Sequence, residues 1–522
     1  MRKMKRRGFT LIELLAVIVI LAVIALIATP IIVGVINDAE KNTFEDTVYG
    51  IVKAGELHYG QEVMKDSDYV GETLFLEKDE LSYSGEKVKG TVLIENDGKV
   101  TVAVYDNKNR WCAIKEYGSE KASIQKYEEG KCNVSSVYPV MQAWKYNSTT
   151  DFHNSAYKSK IKTAEFVGNK NIPTEAIETW DVSESKDGSV MAWITDAGEG
   201  FYHLYIGGDR RVSANQDSSY LFYGFTNIEN IDATFLYTGN AININRMFYN
   251  CEKLVNLAIS NFDTSNVTDM GDMFYGCHSL KKIDVSHFNT SNVTNMYDMF
   301  AACYVLSSLD VSGFNTSKVE RFGNMFWSCY QLWNIDVSGF DTSNATNMAY
   351  MFYKCQRFTT LDVSHFDTSK VTDMSYMFYD CSNLTELDVS GFDTSNVTNM
   401  KYMFSTCEDL IKLDVSHFNT SNVTKMNDMF YRCQRLTTLN VSHFDTSNVT
   451  DMSNMFRSCK NLQEIYFGAF EYTNLENTSL MFTGLSDTVK IIVKNADTQN
   501  YILGLPETDR PATWDTSNVI IG

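Results

Sequence analysis

The sequence predicts an α+β chain in two parts: a long N-terminal helix with a small antiparallel β head, then a solenoid whose coils repeat every 26 residues. Three observations predict it. An apolar run from Phe9 to Ile36 opens the chain and passes into an amphipathic stretch. Two β-rich runs meet at Asp97-Gly98. Phenylalanine then recurs at every twenty-sixth position from Phe222 to Phe482.

Bulk composition sets the class. A chain of 522 residues with 44% hydrophobic and 13% aromatic content can bury a large core and is not disordered. A formal net charge of −20 argues against nucleic-acid binding, which needs clustered Lys and Arg, and suits an exported surface. Five prolines are too few for a long Pro-rich stalk.

The N-terminus reads as an address and an assembly element. Arg2, Lys3, Lys5, Arg6 and Arg7 precede Gly8, and the apolar run that follows holds one charge, Glu13. As a helix, residues 9–36 would span about 42 Å, more than the ~30 Å hydrocarbon core of a bilayer. The basic cluster would stay cytoplasmic and the remainder of the chain outside. A signal peptide would have a shorter apolar core, and a plain anchor leaves Glu13 unexplained, since a carboxylate is costly in lipid. The segment Gly8-Phe9-Thr10-Leu11-Ile12-Glu13-Leu14-Leu15 resembles the cleavage and methylation motif of type IV prepilins and pseudopilins. That resemblance implies cleavage between Gly8 and Phe9 by a prepilin peptidase and N-methylation of Phe9. It also implies a pairing of Glu13 with the terminal amine of a neighbouring pilin subunit. Pro30 matches a proline often found in that family's long helix.

From Asn37 to about Met64, Ala39, Phe44, Val48, Ile51, Val52 and Leu57 alternate with polar residues, as where a helix emerges onto a head. Gly90–Glu95 and Lys99–Tyr105 read as two strands of a hairpin closed by Asn96-Asp97-Gly98. Cys112 and Cys132 stand outside any repeat. In an exported head they form one bridge or remain two buried thiols, and the bridge is the favoured reading.

The second half is self-similar. Nine cysteines from Cys251 to Cys459 keep the 26-residue spacing, an odd number that marks a position within a repeat and not a set of bridges. Each unit is expected to supply a short strand such as Leu387–Val389, with Leu and Val inward and Asp388 outward. The outer units lack the cysteine, as the caps of a stacked array do. The phrase LDVSxFDTSNVTxMxxMFxxC, with Trp180–Trp193 and Tyr205–Gly208 upstream, resembles the leucine-rich repeats of BspA-family bacterial surface proteins over residues 160–522. That resemblance implies a leucine-rich-repeat solenoid and adhesion to host proteins or other bacteria.

Candidate binding positions lie in columns. Asp284, Asp310, Asp336, Asp362, Asp388 and Asp414 share one outward strand position, where like charges about 5 Å apart repel by roughly 1–3 kcal/mol each. Local hydroxyls and amides are the expected compensation, with a cation or a basic partner as the alternatives. Asp263, Asn289, Asn315, Asp341, Asp367, Asp393, Asn419 and Asp445 form a turn column that suits capping of turn amides. Tyr249, Tyr275, Trp327, Tyr353, Tyr379 and Tyr431 form an aromatic column that either grips a ligand or packs between coils. His287, His365, His417 and His443 alternate with glycine in one slot and are read as exposed and incidental. The cysteine column is read as free buried thiols, and no converging set of zinc ligands is evident.

No nucleophile–base constellation, phosphate-cradling loop or HExxH motif is present, so neither an enzyme nor a cofactor is expected. The expected organisation is a leader at 1–8, a pilin helix at 9–64 with its membrane segment at 9–36, and a β head at 65–135. A linker and N-terminal cap at 136–220, repeats at 221–493 and a C-terminal cap at 494–522 follow. The function this implies is a minor pilin or pilus-associated adhesin, lodged in the cell membrane by a single pass and then displayed at the surface. Its expected partners are prepilin peptidase, other pilin subunits and a host or bacterial surface protein or glycan. A pseudopilin of a secretion or competence machine and a non-polymerising membrane display protein are the alternatives.

Overall fold

The structure, a computed structural model, describes residues 11–65, 72–76, 80–95, 97–116, 118–128, 132, 138–146, 148–467 and 471–522, with residues 11–33 described as backbone. It divides into two compact units, Met1–Val137 and Tyr138–Gly522.

In the first unit, helix α1 (Leu11–Lys65) is followed by five strands: β1 (Glu72–Phe75), β2 (Val88–Ile94), β3 (Val100–Asp106), β4 (Trp111–Lys115) and β5 (Ser123–Lys126). They form an antiparallel meander in chain order. Phe44, Val48, Ile51 and Val52 recur at helical spacing and are buried in one core with Val92, Val102, Val104 and Ala113 of the sheet. Ala39 and Leu57, expected on the same stripe, are exposed. Each lies five residues outside it, which turns it about 140° around the helix from its neighbour on the stripe. A Cβ at Gly55 would stand 3.0 Å from Val100 Cγ2, so glycine lets helix and sheet approach closely. The hairpin closes where Ile94 pairs with Val100, with Gly98 at φ +80° and the Glu95 amide donating to the Lys99 carbonyl at 2.9 Å. Cys112 and Cys132 are joined as a disulfide.

The second unit begins with a sheet layer. Its elements are α2 (Ser155–Lys158), β6 (Ile161–Val167), β7 (Glu178–Asp181), β8 (Val190–Gly198), β9 (Phe201–Gly208), β10 (Val212–Ser213), β11 (Asn230–Asp232), β12 (Leu236–Tyr237) and β13 (Asn256–Ala258). Six of the strands form a mixed sheet in the order β13-β11-β6-β9-β8-β7, and β10 pairs with β12 in parallel. The stretch expected as linker and cap is thus a folded sheet, and β6 pairs in parallel with β11 of the first coil. β11 pairs in turn with β13, 26 residues on, so the cap prolongs the strand face of the repeats. At the far end β14 (Thr438–Val441), β15 (Glu464–Phe467), β16 (Lys490–Val493) and β17 (Val519–Ile521) form a parallel sheet, with α3 (Ala496–Leu503) between the last two.

Between the two sheets the coils stack in register. Parallel bridges link Asp217, Asn243, Asp269, Asn295, Arg321, Asn347, Asp373, Asn399, Lys425, Asp451 and Asn477, each to the next. Phe222 to Phe482 stack face to face at centroid separations of 5.5–6.0 Å. The strand expected at Leu387–Val389 does not form, and its place holds only an isolated bridge from Glu386 to Lys412. The inward–outward alternation survives, with Leu387 and Val389 buried and Asp388 exposed. The amide of Ser390 donates to Asp388 Oδ1 at 2.9 Å and turns the chain just after this position.

The repeated phrase Asp-Thr-Ser-Asn-Val-Thr is a set of bonds to the neighbouring coils. In Asp393–Thr398, Asp393 Oδ1 accepts from the Ser395 amide at 2.9 Å, an Asx turn within the coil. Thr394 Oγ1 donates forward to the Asn419 carbonyl at 2.9 Å, and Asn396 Nδ2 donates back to the Ser369 carbonyl at 2.7 Å. Val397 fills the core, and the Thr398 amide donates back to the Thr372 carbonyl at 2.9 Å. Cys381 Sγ donates back to the Phe352 carbonyl at 3.2 Å, and the nine repeat cysteines are all free and buried. His287, His365 and His417 are not incidental. Each donates from Nε2 to a carbonyl of the preceding coil, at 2.8–3.0 Å.

Thr394→Val keeps the shape and leaves the Asn419 carbonyl without its donor, so it is expected to destabilise the protein by about 1–2 kcal/mol. An unchanged denaturant midpoint would show that the threonine column contributes nothing. Thr406 is β-branched, sits at φ +58° and has a buried hydroxyl without a hydrogen-bond partner. Gly276 and Gly484 hold the same position in other coils at φ +72° and +77°. Thr406→Gly should therefore stabilise the protein by on the order of 1 kcal/mol and raise its melting temperature, since relief of the left-handed strain exceeds the entropy glycine adds to the unfolded chain. A lower melting temperature contradicts this.

Candidate binding face of the repeat stack

The strand side of six successive coils ends in an exposed aspartate followed two residues later by serine. Asp284, Asp310, Asp336, Asp362, Asp388 and Asp414 all accept from that serine's amide at 2.9–3.1 Å through Oδ1. The first four also accept from its hydroxyl at 2.6–2.7 Å. The serine hydroxyl and then the amide hold the carboxyls of Asp284, Asp336, Asp362, Asp388 and Asp414 below their ordinary range. The repulsion of a stacked acidic row is met inside each coil. Among the described residues, no group of three or more His, Cys, Asp or Glu is placed to hold a metal ion. The turn column, Asp263 to Asp445, is wholly given to Asx turns at 2.9–3.1 Å.

Over the first five coils the strand face is hollowed into a shallow groove of about 850 Å³. Ile283, Leu309 and Ile335, each almost wholly buried, form its floor beside Leu257. Asp232, Asp284, Asp310 and Asp336 line it, with Ala258 standing where the row would carry a further aspartate. Val255 and Trp333, 45% and 59% exposed, line it as well, and Lys282 is its one cationic lining residue. The groove brings together three of the six column aspartates and leaves Asp362, Asp388 and Asp414 beyond it. Trp333 was not singled out by sequence reasoning. The signal was a large aromatic in an outward slot that other coils fill with Lys281, Ser307 or Thr359.

The aromatic column lines no part of this groove. Tyr275, Trp327, Tyr353 and Tyr379 are half-buried, and rings of the column stack coil on coil. Tyr249 lies 4.6 Å from Tyr275, Trp327 5.7 Å from Tyr353, and Tyr353 4.8 Å from Tyr379. A second ladder, Tyr350, Tyr376 and Tyr402, stacks at 4.5 Å per step. These rings pack between coils, and burial pushes the Tyr249 and Tyr376 hydroxyls up to about 12.

A polar pocket of about 340 Å³ elsewhere on the early coils also went unread in the sequence. Asp272 and Asp298 hold one left-handed position in successive coils, at φ +56° and +59°. Arg246 pairs with Asp272 at 3.3 Å and donates to Tyr220 Oη at 3.0 Å, while Arg321 lies over the Tyr297 ring. Burial, and then the charge of Asp272, push the Asp298 carboxyl up to about 7.

Gly8 and Phe9, expected as the processing site, lie outside the described residues, and Glu13 falls in the backbone-described part of α1. Most of the apolar run 9–36 lies there too, and among the residues whose side chains are described no helix is long and apolar enough to cross a membrane. Comparison with known families gives two matches. The family described as "Mycoplasma protein of unknown function, DUF285" matches residues 216–331, 305–410 and 381–495. The family described as "Prokaryotic N-terminal methylation motif" matches residues 3–29. No curated protein matches the chain.

The raised Asp298 carboxyl makes the fold pH-sensitive in a definite direction. The folded state holds this proton up to about pH 7, whereas the unfolded chain releases it near 3.8, so stability is lost as pH rises between those values. Asp298→Asn, which copies Asn324 and Asn454 at the same position, should raise the melting temperature at pH 8 and change it little at pH 4. Equal shifts at both pH values would show that Asp298 carries no such penalty.

Proposed function

The chain belongs to the DUF285 family, and on that premise we propose that it is a surface-displayed adhesin carried by a pilin-type N-terminus. The observation that carries this reading is the union in one chain of a methylation motif at residues 3–29 and a repeat array at 216–495. The first element is an export and processing signal, and the second is a repeating surface without internal enzymatic logic. In this reading the peptidase cuts between Gly8 and Phe9, and Glu13 meets the amine of a neighbouring subunit in an apolar filament core, where such a pair sets register more than it adds stability. The segment 9–36 holds the chain in the cell membrane by a single pass until assembly. The coils act as a leucine-rich-repeat solenoid that binds a host or bacterial surface, and the protein is not an enzyme. A bulky repeat unit crowds a helical filament, so the proposed place is a low-copy or tip position.

Two of its features support the reading. The acidic composition suits display and argues against a nucleic-acid role. The Asx turns and cross-coil bonds account for most polar residues of the repeat phrase, which leaves the outward strand-face slots free to vary with a ligand.

The test compares cells displaying the full chain, its Glu13→Ala variant and a deletion of the gene, scored for adhesion to host and bacterial cells and for pilus incorporation by immunogold labelling. Adhesion lost with the gene, and pilus labelling lost in Glu13→Ala, are the expected results. Normal labelling in Glu13→Ala would point to a display protein that does not polymerise, and unchanged adhesion in the deletion strain would remove the adhesin reading.

A further inference from the structure

We propose that the groove across the first five coils binds an extended, cationic polypeptide segment of a partner protein that also carries apolar side chains. The inference rests on the reading of the repeats as a binding surface and specifies what that surface takes. Three features of the groove carry it: its length, the free edge of its acidic row, and its apolar floor with an exposed tryptophan.

Length comes first. The groove runs from Asn230 through the equivalent positions Asn256, Lys282, Ser308 and Asn334, one per coil. At about 4.8 Å per coil, this is about 20 Å, the reach of six or so extended residues. A small ligand would fill a fraction of it, and a short strand of polypeptide fits along it.

Charge then selects the sign. Asp284, Asp310 and Asp336 each commit Oδ1 to their own turn, and Asp232 likewise accepts from the Thr234 amide at 2.9 Å. None of these four residues has a hydrogen bond to Oδ2 among those of the described residues, so each coil but one presents a carboxylate oxygen outward. Lys282 offsets only one of them. A row of this kind attracts Lys and Arg and repels sulfated or sialylated glycans and nucleic acid, so an acidic glycan is the wrong ligand for this site.

Apolar contacts supply the remainder. Trp333 stands 59% exposed at one end of the groove, and Val255 is 45% exposed near the other. Ala258 interrupts the acidic row beside Val255 and Leu257, leaving an uncharged subsite. An exposed tryptophan beside a carboxylate row suits aliphatic lysine stems or an arginine stacked on the ring. Large apolar side chains left exposed in a groove mark contact surfaces more often than scattered ones do.

The experiment uses the detergent-solubilised full chain and two seven-residue probes, an alternating Lys/Leu peptide and its Glu/Leu counterpart, followed by calorimetry at low and high salt. Variants are Asp310→Asn with Asp336→Asn, Trp333→Thr, and Asp414→Asn as a column member outside the groove. Asn440 already holds this column position and accepts from the Ser442 amide at 3.1 Å, so the Asn variants keep the turn. Thr359 does the same service for Trp333→Thr. The expected result is binding of the Lys/Leu peptide alone, about tenfold weaker in each groove variant, unchanged in Asp414→Asn, and weakened by salt. Binding of the Glu/Leu peptide, equal loss in Asp414→Asn, or no loss in the groove variants would overturn the proposal. Cells bearing the groove variants separate this inference from the adhesin reading. Adhesion that persists in groove variants that have lost peptide binding removes the groove and keeps the adhesin, whereas peptide binding by the unaltered chain on cells that do not adhere removes the adhesin and keeps the groove.

Discussion

Every coil of this protein carries polar groups that it cannot satisfy alone. The buried threonine at Thr394 reaches forward one coil, while Asn396, Cys381 and His417 reach back one. The backbone does the same, since Thr398 donates its amide to Thr372 and Phe378 donates to Met403. A donor buried without its acceptor costs roughly 1–3 kcal/mol, so each coil demands a neighbour with the matching group in the same place. This demand keeps the period at 26 residues and the phrase so nearly constant. It also makes stability a property of adjacent pairs, with the two terminal sheets closing what would otherwise be open ends.

In-register stacking multiplies whatever one position does. A phenylalanine column becomes a continuous stack of rings, and an aspartate column becomes a row of like charges. The protein answers the second by giving each carboxylate a serine amide of its own, joined at Asp284 and Asp336 by the serine hydroxyl. Where no such local donor exists the row stops early. Asp272 and Asp298 are adjacent at a buried position, one leans on Arg246 and burial pushes the carboxyl of the other up to about 7, and the equivalent position then turns to Asn324 and three tyrosines before Asp428. The left-handed backbone at these positions is likewise carried by whatever residue the coil supplies, mostly without glycine.

Departures from the repeat lie on the strand face. Val255, Ala258, Lys282 and Trp333 break the pattern between residues 230 and 336, and Ile411, Lys412 and Asn440 do so in later coils. The cross-coil bonds are indifferent to what occupies the outward slots, so these slots can change without loss of the stack. A surface free to vary on a scaffold that is not is the physical basis for reading the groove as the place where a partner is recognised. In the N-terminal unit, the helix whose leading part carries the methylation motif buries Phe44, Val48 and Ile51 in the core it shares with the sheet.

The sequence by itself determined the period, the inward columns, the Asp-Gly hairpin and the turn role of the Asp/Asn column, because each depends on local spacing that repeats or on a two-residue turn. It also pointed to local donors for the acidic row, since the serine that supplies them is two residues away. Only the tertiary structure decided what depends on the neighbouring coil. That covers the shrinkage of the expected strand at Leu387–Val389 to a single bridge, the histidines that cap carbonyls, and the aromatic rings that stack instead of standing free. It covers, too, the groove that unites Asp232, Asp310 and Trp333 across about a hundred residues, and the pocket that buries Asp298 beside Asp272. The reason is one of distance: residues 26 apart in the chain become nearest neighbours only when the coils stack, and a column seen in a sequence says which residues will meet without saying which of their atoms will bond.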